Sequence, residues 1–253
     1  MNSRANNIRS NSMNEKDVPP TEKLGLLLLH ALPLDGSMWA NQMDLFPGPT
    51  YAPTLYGLGN TVEAWAAEVL RLATNDQLVV VGCSIGGSCA LEVAAIAPER
   101  VAALVLIGTK AKHRPDRSLH ASALDLIESK GIDQAWARYW APLFSNSADP
   151  GVVEAAKKTA LSQRSQDIAR GVTAFHSRQT RDRLVSECQS PIIVVTGEDD
   201  VAPGPKASAE LAASAQQGSL HVVPSCGHYV PLERPDVLRS ILKDVIGTQF
   251  MAR

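Results

Sequence analysis

Val79-Val80-Val81-Gly82-Cys83-Ser84-Ile85-Gly86-Gly87 decides the fold of this chain. Three β-branched residues in a row make a buried strand, and a Gly-x-Ser-x-Gly turn follows at once. A strand that breaks sharply into a helix tolerates no bulky side chain two residues before or after its apex, and Gly82 and Gly86 meet that demand. Ser84 is the apex, expected in a strained conformation with its hydroxyl raised above the end of a sheet. The pattern is that of a nucleophile elbow, and its surroundings agree. A strand is predicted over 77–82, and an Ala-rich helix over 88–97 ends at Pro98.

Working outward, the apolar run Leu24-Gly25-Leu26-Leu27-Leu28-Leu29 before His30 reads as a central strand covered on both faces. A short extended piece over 51–55 and a turn over 56–60 follow. Thr61 then caps a helix whose apolar stripe is Val62, Trp65, Ala66, Val69, Leu70 and Ala73. Residues 101–107 form another wholly apolar strand. Such alternation predicts an α/β fold with a doubly wound, mostly parallel sheet.

The alternation stops at Gly108. Residues 109–189 contain no strand pattern and are far too many for a connection, so they must carry structure of their own. Helices are predicted there over 118–129, 132–140, 151–162 and 165–175. The rhythm resumes with a strand over 191–196, a helix over 206–215, a strand over 220–223 and a closing helix over 236–246. The chain thus divides into a core, 23–108 and 190–253, and a helical insertion, 109–189, between two consecutive strands. Residues 1–22, rich in Asn, Ser and charge and without an apolar segment, read as a disordered leader, with Met13 an alternative start.

The chain of 253 residues is long enough for one such domain with its insertion. Its 24 Lys plus Arg against 26 Asp plus Glu leave no global field to recruit nucleic acid or an anionic membrane. The expected partner is a small neutral or weakly charged molecule. No apolar run is long enough to span a bilayer. Cys83, Cys89, Cys188 and Cys226 show neither a CxxC pair nor metal-like spacing, and free thiols suit a reducing, cytoplasmic location. The sequence does not specify an oligomeric state.

Acyl transfer by a serine needs a base, an acid that orients it and donors for the oxyanion; it needs no cofactor or metal. Six histidines compete for the base: His30, His113, His120, His176, His221 and His228. His228 lies in the loop just past the last predicted strand, at the carboxyl end of the sheet where such folds bind ligands. The preceding strand ends in Gly197-Glu198-Asp199-Asp200, and the Gly-x-x-Asp spacing favours Asp200 over Asp199 as the acid. The order is then Ser84, Asp200, His228. The backbone N–H of Ile85, after the nucleophile, and that of Leu32, in the loop after the first strand, are the oxyanion candidates.

Together these motifs resemble the α/β-hydrolase superfamily from about residue 23 to the last helix. His30-Ala31-Leu32-Pro33-Leu34-Asp35-Gly36-Ser37-Met38-Trp39 is similar to the oxyanion loop of small carboxylesterases and enol-lactonases. Leu55-Tyr56-Gly57-Leu58-Gly59-Asn60 is similar to the next loop, and Gly227-His228 with Leu232-Glu233-Arg234-Pro235 to the histidine loop. The resemblance implies that 109–189 is a cap over the active site. Two positions depart from it: Ala31 replaces the usual glycine, and Thr54 stands where many relatives have Asp.

Substrate choice rests with the cap and the oxyanion loop. Trp39, Trp136, Tyr139, Trp140, Phe144 and Phe175 gather aromatic area in a chain otherwise poor in it. Helical spacing assigns most of it to packing. Trp39, Trp140, Phe175 and Tyr229 are the substrate-binding candidates, favouring an apolar acyl group. Arg114, Arg138, Arg178 and Arg181 are candidates for a substrate carboxylate, although surface arginines on helices are commoner. The leading expectation is hydrolysis of a small, mainly apolar ester or lactone through an acyl-enzyme on Ser84. The alternatives are C–C bond hydrolysis or a lyase reaction by the same triad, and a ligand receptor of the same fold with vestigial turnover.

Overall fold

The computed structural model describes residues 23–251, so the leader expected over 1–22 lies outside the described residues. Leu24–Leu29 (β1) pairs in parallel with Gln77–Cys83 (β3), from Leu24 opposite Gln77 to Leu29 opposite Gly82. Thr50–Tyr51 (β2) lies beyond β1. Val101–Ile107 (β4), Ile192–Gly197 (β5) and Gly218–Val223 (β6) extend the other side, giving the order β2-β1-β3-β4-β5-β6 with every pairing parallel. β1, β4 and β5 are buried along their whole length, as continuous Leu, Val and Ile runs require of strands covered on both faces. The last strand is the exception: it is an edge, exposed from Gly218 to Val222, which explains why the apolar pattern announced only its second half.

Helices flank the sheet. Val62–Leu72 (α1) begins where Thr61 accepts a hydrogen bond from the Ala64 amide at 3.2 Å. Ile85–Ile96 (α2) starts directly after Ser84, three residues before the expected position, because the tight turn sets the helix axis at once despite the poor helix propensity of Gly86 and Gly87. Between β4 and β5 the chain forms Arg117–Ala135 (α3), Pro150–Ser162 (α4), Ser165–Ser177 (α5) and Asp182–Glu187 (α6). Gly131, at φ 80°, breaks α3. The helix expected over 132–140 therefore continues from α3 and ends in a π turn at Trp136–Trp140, followed by a 3₁₀ turn at Ala141–Leu143. The short polar α6 had no apolar stripe to announce it. Gly204–Ser214 (α7), the one-turn Val230–Glu233 (α8) and Pro235–Met251 (α9) complete the described chain.

Because every strand runs the same way, the loops after β1, β3, β4, β5 and β6 meet along one edge of the sheet. They deliver His30, Ser84, Gly108, Asp200 and His228 to a single region, with α3–α6 inserted beside it.

Candidate active site

Ser84 sits at φ 55°, ψ −117°, and among the described residues only Ser225 shares a positive φ without being glycine. The glycines around it explain how the chain reaches that shape. A Cβ on Gly82 would lie 2.3 Å from the Gly86 carbonyl oxygen, and one on Gly86 would lie 2.1 Å from that of Leu29. The elbow is tied down from β4: the Ser84 amide donates to the Ile107 carbonyl at 2.8 Å, and the Thr109 hydroxyl reaches the Ser84 carbonyl at 3.1 Å.

His228 Nδ1 lies 3.1 Å from each carboxylate oxygen of Asp200, and both residues are buried. A carboxylate accepts, so Nδ1 carries a hydrogen, and in the neutral ring Nε2 is the bare nitrogen. Asp200 Oδ1 also accepts from the Ala202 amide at 2.8 Å, which fixes the carboxylate. The neighbouring acids are engaged elsewhere. Asp199 accepts from the Ser145 hydroxyl at 2.5 Å and Glu198 from the Ser225 amide at 3.1 Å.

Gly108, at φ 55°, was not anticipated. A Cβ there would stand 2.7 Å from His228 Nδ1 and Cε1 and 3.2 Å from Asp200 Oδ2, so the end of β4 must be glycine for the pair to fit. Glu233 was also missed. Its buried carboxylate accepts from the amides of Ser145 and Gly227, each at 3.0 Å, and of Tyr229 at 3.2 Å. It thereby binds the histidine loop to the segment after the π turn, which is held again where the His228 amide donates to the Leu143 carbonyl at 2.8 Å. The sequence signal for it was its place in Leu232-Glu233-Arg234-Pro235, the stretch similar to the histidine loop of the family, which carried no role for the carboxylate.

The loop after β1 is built around His30. Its Nδ1–H donates to the Ala31 carbonyl at 3.0 Å and its Nε2 accepts from the Leu55 amide at 2.8 Å, joining the loops after β1 and β2. Complete burial pulls its pKa down to about 4, so the ring is neutral at pH 7. Ala31 keeps a negative φ, and the missing glycine costs the backbone nothing there. Neither the Leu32 amide nor that of Ile85 donates to a protein acceptor among the described residues; Ile85, as the first residue of α2, has no intrahelical partner.

Ser84 and His228 open onto one cavity of about 760 Å³ under the α3–α6 segment. Leu32, Trp140, Leu143, Val172 and Phe175 supply much of its apolar wall. Of the four aromatic candidates, Trp140 and Phe175 line this space and two do not. Trp39 is fully buried in the hydrophobic core, where its apolar area goes into packing. Tyr229 is equally buried. Its ring packs on Phe144, 4.6 Å between centroids, and its hydroxyl donates to the Leu32 carbonyl at 3.0 Å.

Comparison with known proteins agrees with this architecture. The family model described as the alpha/beta hydrolase family matches residues 26–241. A pimeloyl-[acyl-carrier protein] methyl ester esterase from Aromatoleum aromaticum is 29% identical over 246 residues, which cover 87% of this chain and 97% of that protein. Among solved structures, a thermophilic esterase from Thermogutta terrifontis superposes with a TM-score of 0.82 at 24% identity, covering 90% of this chain and 91% of that one. The enol-lactonase from Burkholderia xenovorans gives a TM-score of 0.78 at 20% identity, covering 89% and 92%. With its elbow, its parallel sheet and a family match across most of its length, this chain belongs to the alpha/beta hydrolase family.

Proposed function

We propose that the chain is a serine hydrolase that cleaves a small carboxylic ester or lactone through an acyl-enzyme on Ser84. The observation that carries the proposal is His228, held 3.1 Å from the buried Asp200 carboxylate and lining the same cavity as the strained Ser84. His228 Nε2 removes the Ser84 proton as Oγ attacks the carbonyl carbon, and Asp200 stabilises the imidazolium. The amides of Leu32 and Ile85 receive the oxyanion. His228 then returns the proton to the leaving alkoxide, and water attacks the acyl-enzyme by the same route to release the acid.

The likeness to esterases supports the ester class, and the apolar wall supports a mainly apolar acyl chain. Among the described residues no helix is long and apolar enough to cross a membrane. The four free cysteines support a reducing compartment such as the cytoplasm.

Turnover of p-nitrophenyl butyrate, γ-lactones and vinylogous diketones by the native protein and Ser84→Ala tests the reading. Expected are ester or lactone turnover, loss of at least about 10⁴-fold in kcat in the variant, and an acyl adduct on Ser84 by mass spectrometry after acid quench. Undiminished turnover in Ser84→Ala overturns it, and selective diketone cleavage moves the assignment to C–C hydrolysis.

A further inference from the structure

The cavity wall contributed by α5 ends in a cation that the acyl-transfer machinery does not use. Arg178 follows the last residue of α5, lines the same cavity as Ser84, and donates to the Phe175 carbonyl while its guanidinium lies 3.9 Å from the Phe175 ring centroid. A guanidinium has five N–H donors, and this interaction engages one.

The other arginines of 109–189 that the sequence offered as anion receptors are placed differently. Arg181 is held by both oxygens of the buried Glu92, at 2.6 and 2.7 Å. Arg138 lies over Tyr139, on the wall of a separate surface depression. Arg114 borders the same cavity but is exposed to solvent. Further along, Arg164 and Arg170 share Asp167. Arg178 is half-buried and forms no ion pair among the described residues.

Of the lining acids Asp116, Asp182 and Glu210, none forms an ion pair with it. Asp116 caps α3, accepting from the Leu119 amide at 2.9 Å, and Asp182 accepts from the Thr180 hydroxyl at 3.0 Å. The imidazoles around it do not replace its charge. His176 stacks on His120 with 4.9 Å between centroids, and its burial together with neighbouring cations lowers its pKa to about 4. His113 donates Nε2–H to the His176 carbonyl at 2.9 Å. Burial also draws Arg178 down, to about 10, which leaves it charged at neutral pH yet short of a counter-charge.

We infer that Arg178 is a specificity residue that binds a carboxylate carried by the substrate away from its scissile bond, so that the preferred ester is apolar along its length and anionic at one end. The inference rests on the hydrolase reading above. A planar carboxylate matches the guanidinium fork, and Phe175 holds the fork's plane from one side. A long alkyl ester would instead leave those donors without a partner when it displaced water from the wall.

Two pairs of methyl-scale esters test it. Monomethyl adipate against methyl hexanoate places the charge on the acyl side, and 4-acetoxybutyrate against butyl acetate places it on the alcohol side. In one pair kcat/KM is expected to favour the charged member by about tenfold or more, to lose that preference in Arg178→Gln and to keep part of it in Arg178→Lys. No preference in either pair, or the same preference in Arg178→Gln, overturns the inference. Calorimetric binding of the four esters to Ser84→Ala and to Ser84→Ala/Arg178→Gln separates the two readings. If the native protein hydrolyses none of them and also leaves p-nitrophenyl butyrate and γ-lactones intact, the acyl-transfer reading fails, while tighter binding of a charged member that needs Arg178 still supports the subsite, and equal binding overturns it.

Discussion

The hydroxyl of Tyr229, the residue after His228, donates to the carbonyl of Leu32 at 3.0 Å, so the histidine loop and the loop after β1 are joined by one hydrogen bond. That carbonyl belongs to the residue whose amide is the candidate oxyanion donor. Tyr229→Phe removes the bond and leaves the packing on Phe144 intact. We expect kcat to fall about tenfold with KM little changed, and stability to fall by about 1 kcal/mol. Parallel kinetics and urea denaturation would measure both; an unchanged kcat would mean that the loop after β1 holds its shape unaided.

Gly108→Ala puts a methyl group into the space occupied by the His228–Asp200 pair, 2.7 Å from His228 Nδ1, at a positive φ. The pair must move. Displacements of this kind cost on the order of 10²-fold in rate, so kcat is expected to drop by about that factor while circular dichroism still reports a folded protein.

Asp200→Asn and Asp199→Asn distinguish the two adjacent carboxylates. The first removes the acceptor that fixes the His228 tautomer and is expected to cost about 10³–10⁴-fold in kcat. The second weakens only the contact to Ser145 and should stay within about tenfold of native activity. Equal losses in both would refute the assignment of the acid.

Glu233→Gln leaves an amide group facing the N–H groups of Ser145, Gly227 and Tyr229. Its effect should appear first as a stability loss of about 1–3 kcal/mol. Because Gly227 and Tyr229 flank His228, kcat should fall with it, whereas KM for a neutral ester should change less.

Acid lability follows from His30. Its folded pKa of about 4 lies below the ordinary value of 6.5, so between those values the unfolded chain binds a proton that the native one does not. Its contribution is therefore complete above pH 6.5 and is lost as the pH falls toward 4, by up to about 3 kcal/mol. The half-exposed His176 acts in the same direction. Denaturation midpoints between pH 4 and 7 should fall on acidification, and less steeply in His30→Gln.

The fold was readable wherever a strand was buried on both faces, because short uninterrupted Leu, Val and Ile runs bounded by turn residues and alternating with helical patterns read as the strands of a parallel sheet. It was least readable at β6, whose exposed edge gives no such run, and across 132–143, where Gly131 and a π turn follow local backbone geometry that hydrophobic periodicity does not encode. Site residues held by chain order, Ser84, Asp200 and His228, were nameable from sequence. Gly108 and Glu233 were not, since each acts on a partner distant along the chain. Trp39 and Tyr229 show the opposite difficulty: an aromatic residue beside a site motif can face the core, and nothing in the residue type says which side it takes.

The fastening of Leu143–Ser145 to the histidine loop sets where this enzyme scaffold can be cut and rejoined. A chimera that exchanges the whole of 109–189 for a foreign segment would replace Leu143 and Ser145 together, taking one of its three amide donors from Glu233, the Ser145 hydroxyl from Asp199 and the Leu143 carbonyl from the His228 amide. Crossovers placed before Leu143 and after Asp149 keep those contacts. The inserted helices can then be transplanted in two pieces, while the short span between them stays with the part of the molecule that carries Ser84 and His228.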